Sequence, residues 1–321
     1  MSLESSKSEA GQSNAKFRLV TRSDFDGLVC AVLLNELKLI DDISFVHPKD
    51  MQDGKIAITP RDITTNLPYV AAAHLVFDHH ASETVRNTGE RLNHIIVADA
   101  PSAARVVYQH YGGKKAFPRI SDEMMDAVDK ADSAQFTREE ILDPKGWPLL
   151  NYLMDSRTGL GRFREFRISN YTLMMDLIKY CADHDIDDIL DLPDVKERVD
   201  LYFEHERNAK EQLKRCGTVH GNLVVLDLRG EETIWAVNRF MIYAMYPRCN
   251  ISIHLMWGMQ KQNIVFATGK SILDRSSKTN IGELMLAYGG GGHHAAGTCQ
   301  IDKDRAATVL QELIAKINAD G

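Results

Sequence analysis

Five short β-branched or apolar runs alternate with longer helical patterns over the first third of the chain: Phe17–Thr21, Ile43–His47, Ile56–Thr59, His74–Phe77 and Ile95–Ala98. That alternation predicts a parallel sheet, because parallel neighbours require a crossover and the crossover is usually a helix. Gly27–Ile40 reads as a helix apolar on nearly every side, which suits a helix pressed between the sheet and other packing elements. Ser102–Tyr111 and Ser121–Ala131 read as further covering helices. From Ser169 to about Cys216 the pattern is helical and strand-free, and its charged end, Val195–Cys216, reads as a linker. Beyond it, Leu223–Leu228, Ile251–Trp257 and Asn263–Ala267 are strand-like, with helices near Asn238–Tyr246, Ile281–Ala287 and Arg305–Ile317. A second α/β domain is therefore expected, and 321 residues at 44% hydrophobic content suffice for two cores.

Several classes fall away. The chain carries 38 Lys+Arg against 45 Asp+Glu, a net charge of −7, which disfavours nonspecific wrapping of duplex nucleic acid. The apolar stretch Leu28–Leu34 is far short of the roughly 20 residues that cross a bilayer, so no membrane partner is expected. Residues 1–15 are rich in Ser, Lys and Glu without an apolar run, which predicts a disordered tail rather than a secretory signal. The five cysteines, Cys30, Cys181, Cys216, Cys249 and Cys299, are scattered and never form CxxC, as expected of reduced thiols in a cytoplasmic protein.

The residues that can carry chemistry sit after strands. The run FRLVT ends in Arg22-Ser23-Asp24-Phe25-Asp26-Gly27 and enters a helix, which puts two carboxylates at the carboxyl edge of a parallel sheet, where such sheets bind ligands. Asp24 and Asp26, two apart, can grip hard cations or simply cap the helix. Another run ends in Asp78-His79-His80, where imidazole can ligate Mn, Fe, Co or Zn and a carboxylate can hold a ring in one tautomer. Asp129 and Asp132 close a helical run, and Asp132 is the preferred ligand candidate. Gly289–Gly292 followed by His293-His294 can form a nest of inward N–H groups for a phosphate, or a hinge; Arg275 upstream suits forked phosphate recognition. Gly269-Lys270-Ser271 resembles the tail of a nucleotide P-loop but lacks the earlier glycine and a following helix, so an ATPase is rejected. Neither GxSxG nor CxxC occurs. Arg157, Arg162, Arg164 and Arg167 can touch a nucleotide backbone, with a solvated loop the preferred reading.

Taken together, SDFDG, FDHH, ADSAQF and GGGGHHAAG resemble, in order and spacing, the DHH phosphoesterases with their DHH-associated C-terminal domain, a family of RecJ-like exonucleases, nanoRNases and cyclic-dinucleotide phosphodiesterases often labelled exopolyphosphatase-like. The resemblance implies an α/β fold with a Rossmann-like parallel-sheet DHH domain over residues 16–194, a linker helix at 195–216, and a smaller mixed-sheet substrate-binding domain at 217–321. It implies one or two Mn²⁺ ions, with Mg²⁺ or Co²⁺ in their place, held by Asp24, Asp26, His79 and Asp132. Asp78 would support this site and His80 would face the substrate as the second catalytic residue. Arg275, Gly290, Gly291, Gly292 and His293, with His294 beside it, would hold the far phosphate of a short oligonucleotide or phosphorylated nucleotide.

This chain departs from the family pattern at three places. Arg22 stands where members carry a His or Asp and would bind phosphate directly; Asp62 would have to supply the bridging carboxylate from a shifted position; and the glycine motif is about one residue short. The expected function is metal-dependent hydrolysis of phosphodiester or phosphomonoester bonds. The alternative is a catalytically reduced relative that binds nucleotide as a sensor. A homodimer is left open.

Overall fold

In the computed structural model, residues 16–80, 89, 91–163 and 165–321 are described; the expected tail at 1–15 and Arg164 lie outside them. The chain divides into two compact units, one of the described residues up to Ser23 with Gly27–Ile120, the other of Asp24–Asp26 with Ser121–Gly321.

The first unit is built on a five-stranded parallel sheet, β1 (Phe17–Arg22), β2 (Ile40–Val46), β3 (Asp62–Thr65), β4 (Leu75–Asp78) and β5 (His94–Ile96), in the order β2-β1-β3-β4-β5. Helix α1 (Phe25–Glu36) follows β1 and buries every residue from Leu28 to Leu34, as its all-round apolar pattern requires. It leaves the strand so sharply that a Cβ on Gly27 would lie 1.9 Å from the Arg22 carbonyl oxygen, so only glycine fits there. A short helix, α2 (Pro48–Gln52), follows β2, and α3 (Ala103–His110) packs near β4.

The third strand is not where the apolar run predicts it. Ile56 and Ile58 pack, half-buried, against Val20, Met51 and Leu67 without joining the sheet. Pro60 lacks an N–H for a central ladder, and the chain turns, with Asp62 N donating to Thr59 O at 3.0 Å; the strand begins at Asp62. The run was apolar because it packs, not because it pairs.

The second unit begins with helices: α4 (Asp122–Asp132), α5 (Arg138–Leu142), α6 (Gly146–Met154), α7 (Asn170–Asp183), α8 (Ile186–Leu190) and α9 (Pro193–Cys216). A six-stranded mixed sheet follows: β6 (Gly217–His220), β7 (Leu223–Asp227), β8 (Ile251–Trp257), β9 (Ile264–Lys270), β10 (Gly291–His293) and β11 (Ala296–Ile301), ordered β10-β11-β9-β8-β7-β6. Only β7 and β8 pair in parallel. One sheet face, with Ile251, Ile253, Leu255, Ile264 and Phe266, packs on α11 (Ile281–Leu286), which supplies Ile281 and Met285, and on α12 (Lys303–Asp320), which supplies Val309, Leu313 and Ile317. The helix expected over Asn238–Tyr246 is reduced to α10 (Met241–Met245). The α/β class, the parallel first sheet and the mixed second one agree with the sequence reading. No helix among the described residues is long and apolar enough to cross a membrane, and all five cysteines are free thiols.

Candidate metal centre

Three side chains singled out from sequence come together. Asp26, His79 and Asp132 each offer a ligand atom, and these atoms lie within 4.8 Å of one another. Asp26, at the start of α1, is 2% exposed; His79 and Asp132 are part-buried. Two carboxylates and an imidazole at that spacing fit a divalent cation of the Mg²⁺ or Mn²⁺ type.

Local structure explains each position. His79 directly follows β4, and its Nδ1 lies 3.1 Å from the Ala100 carbonyl oxygen. A carbonyl can only accept, so Nδ1 carries the proton and Nε2 keeps the lone pair a metal needs. Asp132 is the last residue of α4, which ends where Ser133 N bonds back to Asp129 O at 3.1 Å and Ala134 takes a left-handed conformation, φ 52°. Between the two acids of that segment, the three-donor group includes Asp132 and not Asp129.

Asp78 does something narrower than support the whole site. It is fully buried, and its Oδ1 accepts from the backbone N–H groups of His79 (2.8 Å) and His80 (3.2 Å) and from His80 Nδ1 (2.7 Å). The carboxylate thus fixes the tautomer of His80, not that of His79. Among the described residues its Oδ2 is buried with no hydrogen-bond donor, a place suited to a cation. Asp24 is part-buried and is not among the three gathered donors; Arg22 ends β1, opposite Val46 of β2.

Asp62 requires a correction. It opens β3 in register with Arg18, the second residue of β1, and so lies at the amino edge of a parallel sheet whose carboxyl edge carries His79. Arg18 grips it with two bonds, Nε to Oδ1 at 2.8 Å and Nη2 to Oδ2 at 2.9 Å, and Thr59 N adds another at 2.6 Å. Burial would raise its pKa, but the hydrogen bonds from Arg18 and Thr59 outweigh it and hold the carboxyl below its ordinary range. Its oxygens are engaged in a structural ion pair, and the bridging-ligand expectation fails because the strand starts, rather than ends, at this residue.

The glycine motif also differs from the expected nest. Gly291, Gly292 and His293 form β10, an extended strand paired with Thr298, Gly297 and Ala296 of β11. A Cβ on Gly290 would lie 2.0 Å from the Thr298 carbonyl oxygen, so close strand approach, not anion cradling, demands glycine there. His293 and His294 are exposed. Arg275 is exposed as well, and its Nη2 donates to the carbonyl oxygens of Ala134 (2.9 Å) and Ser133 (3.4 Å), the two residues after Asp132.

Lys270 is the residue the sequence reading passed over. Rejecting Gly269-Lys270-Ser271 as a P-loop was sound, since no helix opens until Ile281. The lysine nevertheless sits at the end of β9 with Nζ 3.1 Å from the Ser277 carbonyl oxygen and 3.4 Å from His294 Nε2, and burial pushes its pKa down. Ser277 Oγ beside it is buried without a partner among the described residues. An ammonium, an imidazole and a hydroxyl together suit an anion. A lysine closing an otherwise uncharged strand was the available signal. Of the basic run, Arg157 pairs with Asp155, Arg167 with Asp194, and Arg162 donates to the Ile234 carbonyl oxygen, so these groups hold structure together.

Among solved structures, a pGpG-specific phosphodiesterase, PggH of Vibrio cholerae, is 70% identical, with a TM-score of 0.87 over 95% of this chain and 100% of that one. RecJ from Thermus thermophilus, in complex with Mn²⁺, is 14% identical with a TM-score of 0.51, over 95% of this chain and 52% of RecJ, a likeness of fold. No family model matches the chain. No curated protein matches it either.

Proposed function

Because the chain belongs to the DHH family of phosphoesterases, we propose that it hydrolyses the linear dinucleotide pGpG to two molecules of GMP with a divalent metal, Mn²⁺ foremost and Mg²⁺ or Co²⁺ in its place. The observation that carries this reading is the gathering of Asp26, His79 and Asp132 in a chain 70% identical over its length to a pGpG-specific phosphodiesterase. The gathered donors also favour the enzyme over a catalytically reduced binder, which has no need of them.

When bound, the metal lowers the pKa of water and neutralises charge that builds on the phosphoryl oxygens. Asp26, His79 through Nε2, and Asp132 would hold it, and the donor-free Oδ2 of Asp78 is a further oxygen for a second ion. His80, with Nδ1–H donated to Asp78, presents Nε2 toward the leaving ribose oxygen; in its imidazolium form it would donate the Nε2 proton as the phosphorus–oxygen bond breaks and remain as the neutral ring bonded to Asp78. Lys270 and His294 would take the dinucleotide's terminal phosphate, and Arg275 would steady the loop that follows Asp132. In this reading residues 16–194 carry the hydrolytic groups, 195–216 link, and 217–321 hold substrate. Five free thiols agree with a cytoplasmic location.

The test is turnover of pGpG, pApA, pAp, short RNA, a cyclic dinucleotide and polyphosphate by purified protein with Mn²⁺. pGpG is expected to be the best substrate, and Asp26→Asn to lower kcat by at least about a hundredfold with the fold unchanged by circular dichroism. Full activity of the variant, or a preference for polyphosphate, overturns the reading.

A further inference from the structure

We propose that Asn66 turns its side-chain amide toward the metal centre, and that this neutral group, standing where a second divalent ion needs a carboxylate, makes the centre hold one ion firmly and the second weakly. Asn66 directly follows β3 and is the residue this strand brings to the carboxyl edge; the strand's one acid, Asp62, lies at its other end. In the sheet order β3 lies between β1 and β4, so those two strands are roughly 9–10 Å apart. Asp26 comes after β1 and His79 after β4, yet their ligand atoms lie within 4.8 Å of each other. The two donors therefore reach toward each other across the end of β3. Contacts at that end agree. Thr65, the last residue of β3, donates from Oγ1 to Thr21 Oγ1 at 2.7 Å, and Thr21 Oγ1 would lie 2.9 Å from a Cβ on Gly27, the residue after Asp26. On the other side Thr65 is in register with Phe77, and Asn66 N donates to Phe77 O at 3.1 Å, which sets Asn66 alongside Asp78.

Asn66 is 1% exposed and has a left-handed backbone, φ 55°. Glycine would meet that backbone at no steric cost; the chain instead carries there the side chain that best tolerates it, and withdraws an amide from water to do so. An amide oxygen is a ligand for hard cations but brings no charge. Charge then decides how many ions stay. Asp26 and Asp132 are the gathered carboxylates, and Asp78 adds the buried Oδ2 that has no donor among the described residues. Arg22, at the end of β1, offsets the charge of Asp24 two residues on. Three carboxylates thus face the four positive charges of two divalent ions, and the uncompensated charge falls on the second ion. An acid at position 66 would close that gap.

The inference rests on the divalent metal proposed above, so the experiment reads metal binding apart from turnover. Mn²⁺ is titrated into the full chain after a chelator has stripped it, and the unbound ion is counted by electron paramagnetic resonance. The parent protein is expected to bind one Mn²⁺ firmly and a second at least about tenfold more weakly. Asn66→Asp keeps the shape and the backbone and adds a charge; it should tighten the second ion at least about tenfold and show the spin-coupled signal of an ion pair where the parent shows a single ion. Asn66→Gly keeps the backbone and removes the amide; it should weaken the second ion about tenfold and leave the first within about twofold. A second ion bound by either variant as the parent binds it, or two equally firm ions in the parent, overturns the inference even if pGpG is hydrolysed. The expected order of the three proteins, in a chain that hydrolyses nothing, upholds it and removes only the phosphodiesterase reading. Absence of bound Mn²⁺ in all three overturns the inference together with the metal.

Discussion

Asp78 and Asp62 are both almost fully buried aspartates in the parallel sheet, on adjacent strands, and each is tied to a nitrogen base at under 3 Å. Asp78 ends its strand and Asp62 begins one, so the two lie at opposite edges. At the carboxyl edge the partner is His80, whose side chain is 41% exposed and whose second nitrogen stays available. At the amino edge the partner is Arg18, which closes on both carboxylate oxygens. One pair leaves an imidazole nitrogen on offer; the other completes an ion pair and offers nothing. Edge position, not residue type or burial, separates a chemical carboxylate from a structural one.

The contrast breaks if the edges behave alike. The largest expected effect belongs to the carboxyl edge: His79→Ala should lower kcat for pGpG by at least about a hundredfold while the urea midpoint stays within error, since a ligand is lost and little packing with it. At the amino edge, Asp62→Asn should cost about 2 kcal/mol of unfolding free energy through the partly buried Arg18 bonds, with kcat within about twofold of the parent. A hundredfold loss of turnover in Asp62→Asn at unchanged stability would restore it as a metal ligand. The smallest effect sharpens the same pair. Asp62 has its folded pKa below the unfolded value, so its stabilisation is present above about pH 4, the unfolded aspartate range, and is lost as pH falls through the folded pKa. Urea titrations from pH 6 to 3 should therefore show the gap between the parent and Asp62→Asn narrowing toward acid; a constant gap would mean that the ion pair does not carry the difference.

The three gathered donors were readable in one dimension because each sits in a local pattern. A strand followed by an acidic turn and a glycine delivers Asp26, a strand followed by Asp-His-His delivers His79, and a helix end delivers Asp132. The third strand was not readable, since apolar Ile56 and Ile58 look alike whether they pair or only pack. The glycine run was not readable either: a nest, a hinge and a strand all accept glycine, and what required it at Gly290 is the carbonyl of Thr298 on the neighbouring strand. Lys270 gained meaning only from His294 and Ser277, which the turn after β9 and the following hairpin bring to it.

What the order of residues settled was the inventory: an α/β chain, carboxylates and an imidazole able to hold a cation placed just past strand ends or a helix end, scattered thiols, and no apolar segment of membrane length. Those features depend on near neighbours, whose spacing follows from the repeat of helix and strand. What folding settled was allocation: that Arg18 takes Asp62 across 44 residues, and that Arg275 reaches back to the carbonyls after Asp132. Each of these depends on register and packing between distant segments, whose energies no short stretch of chain contains.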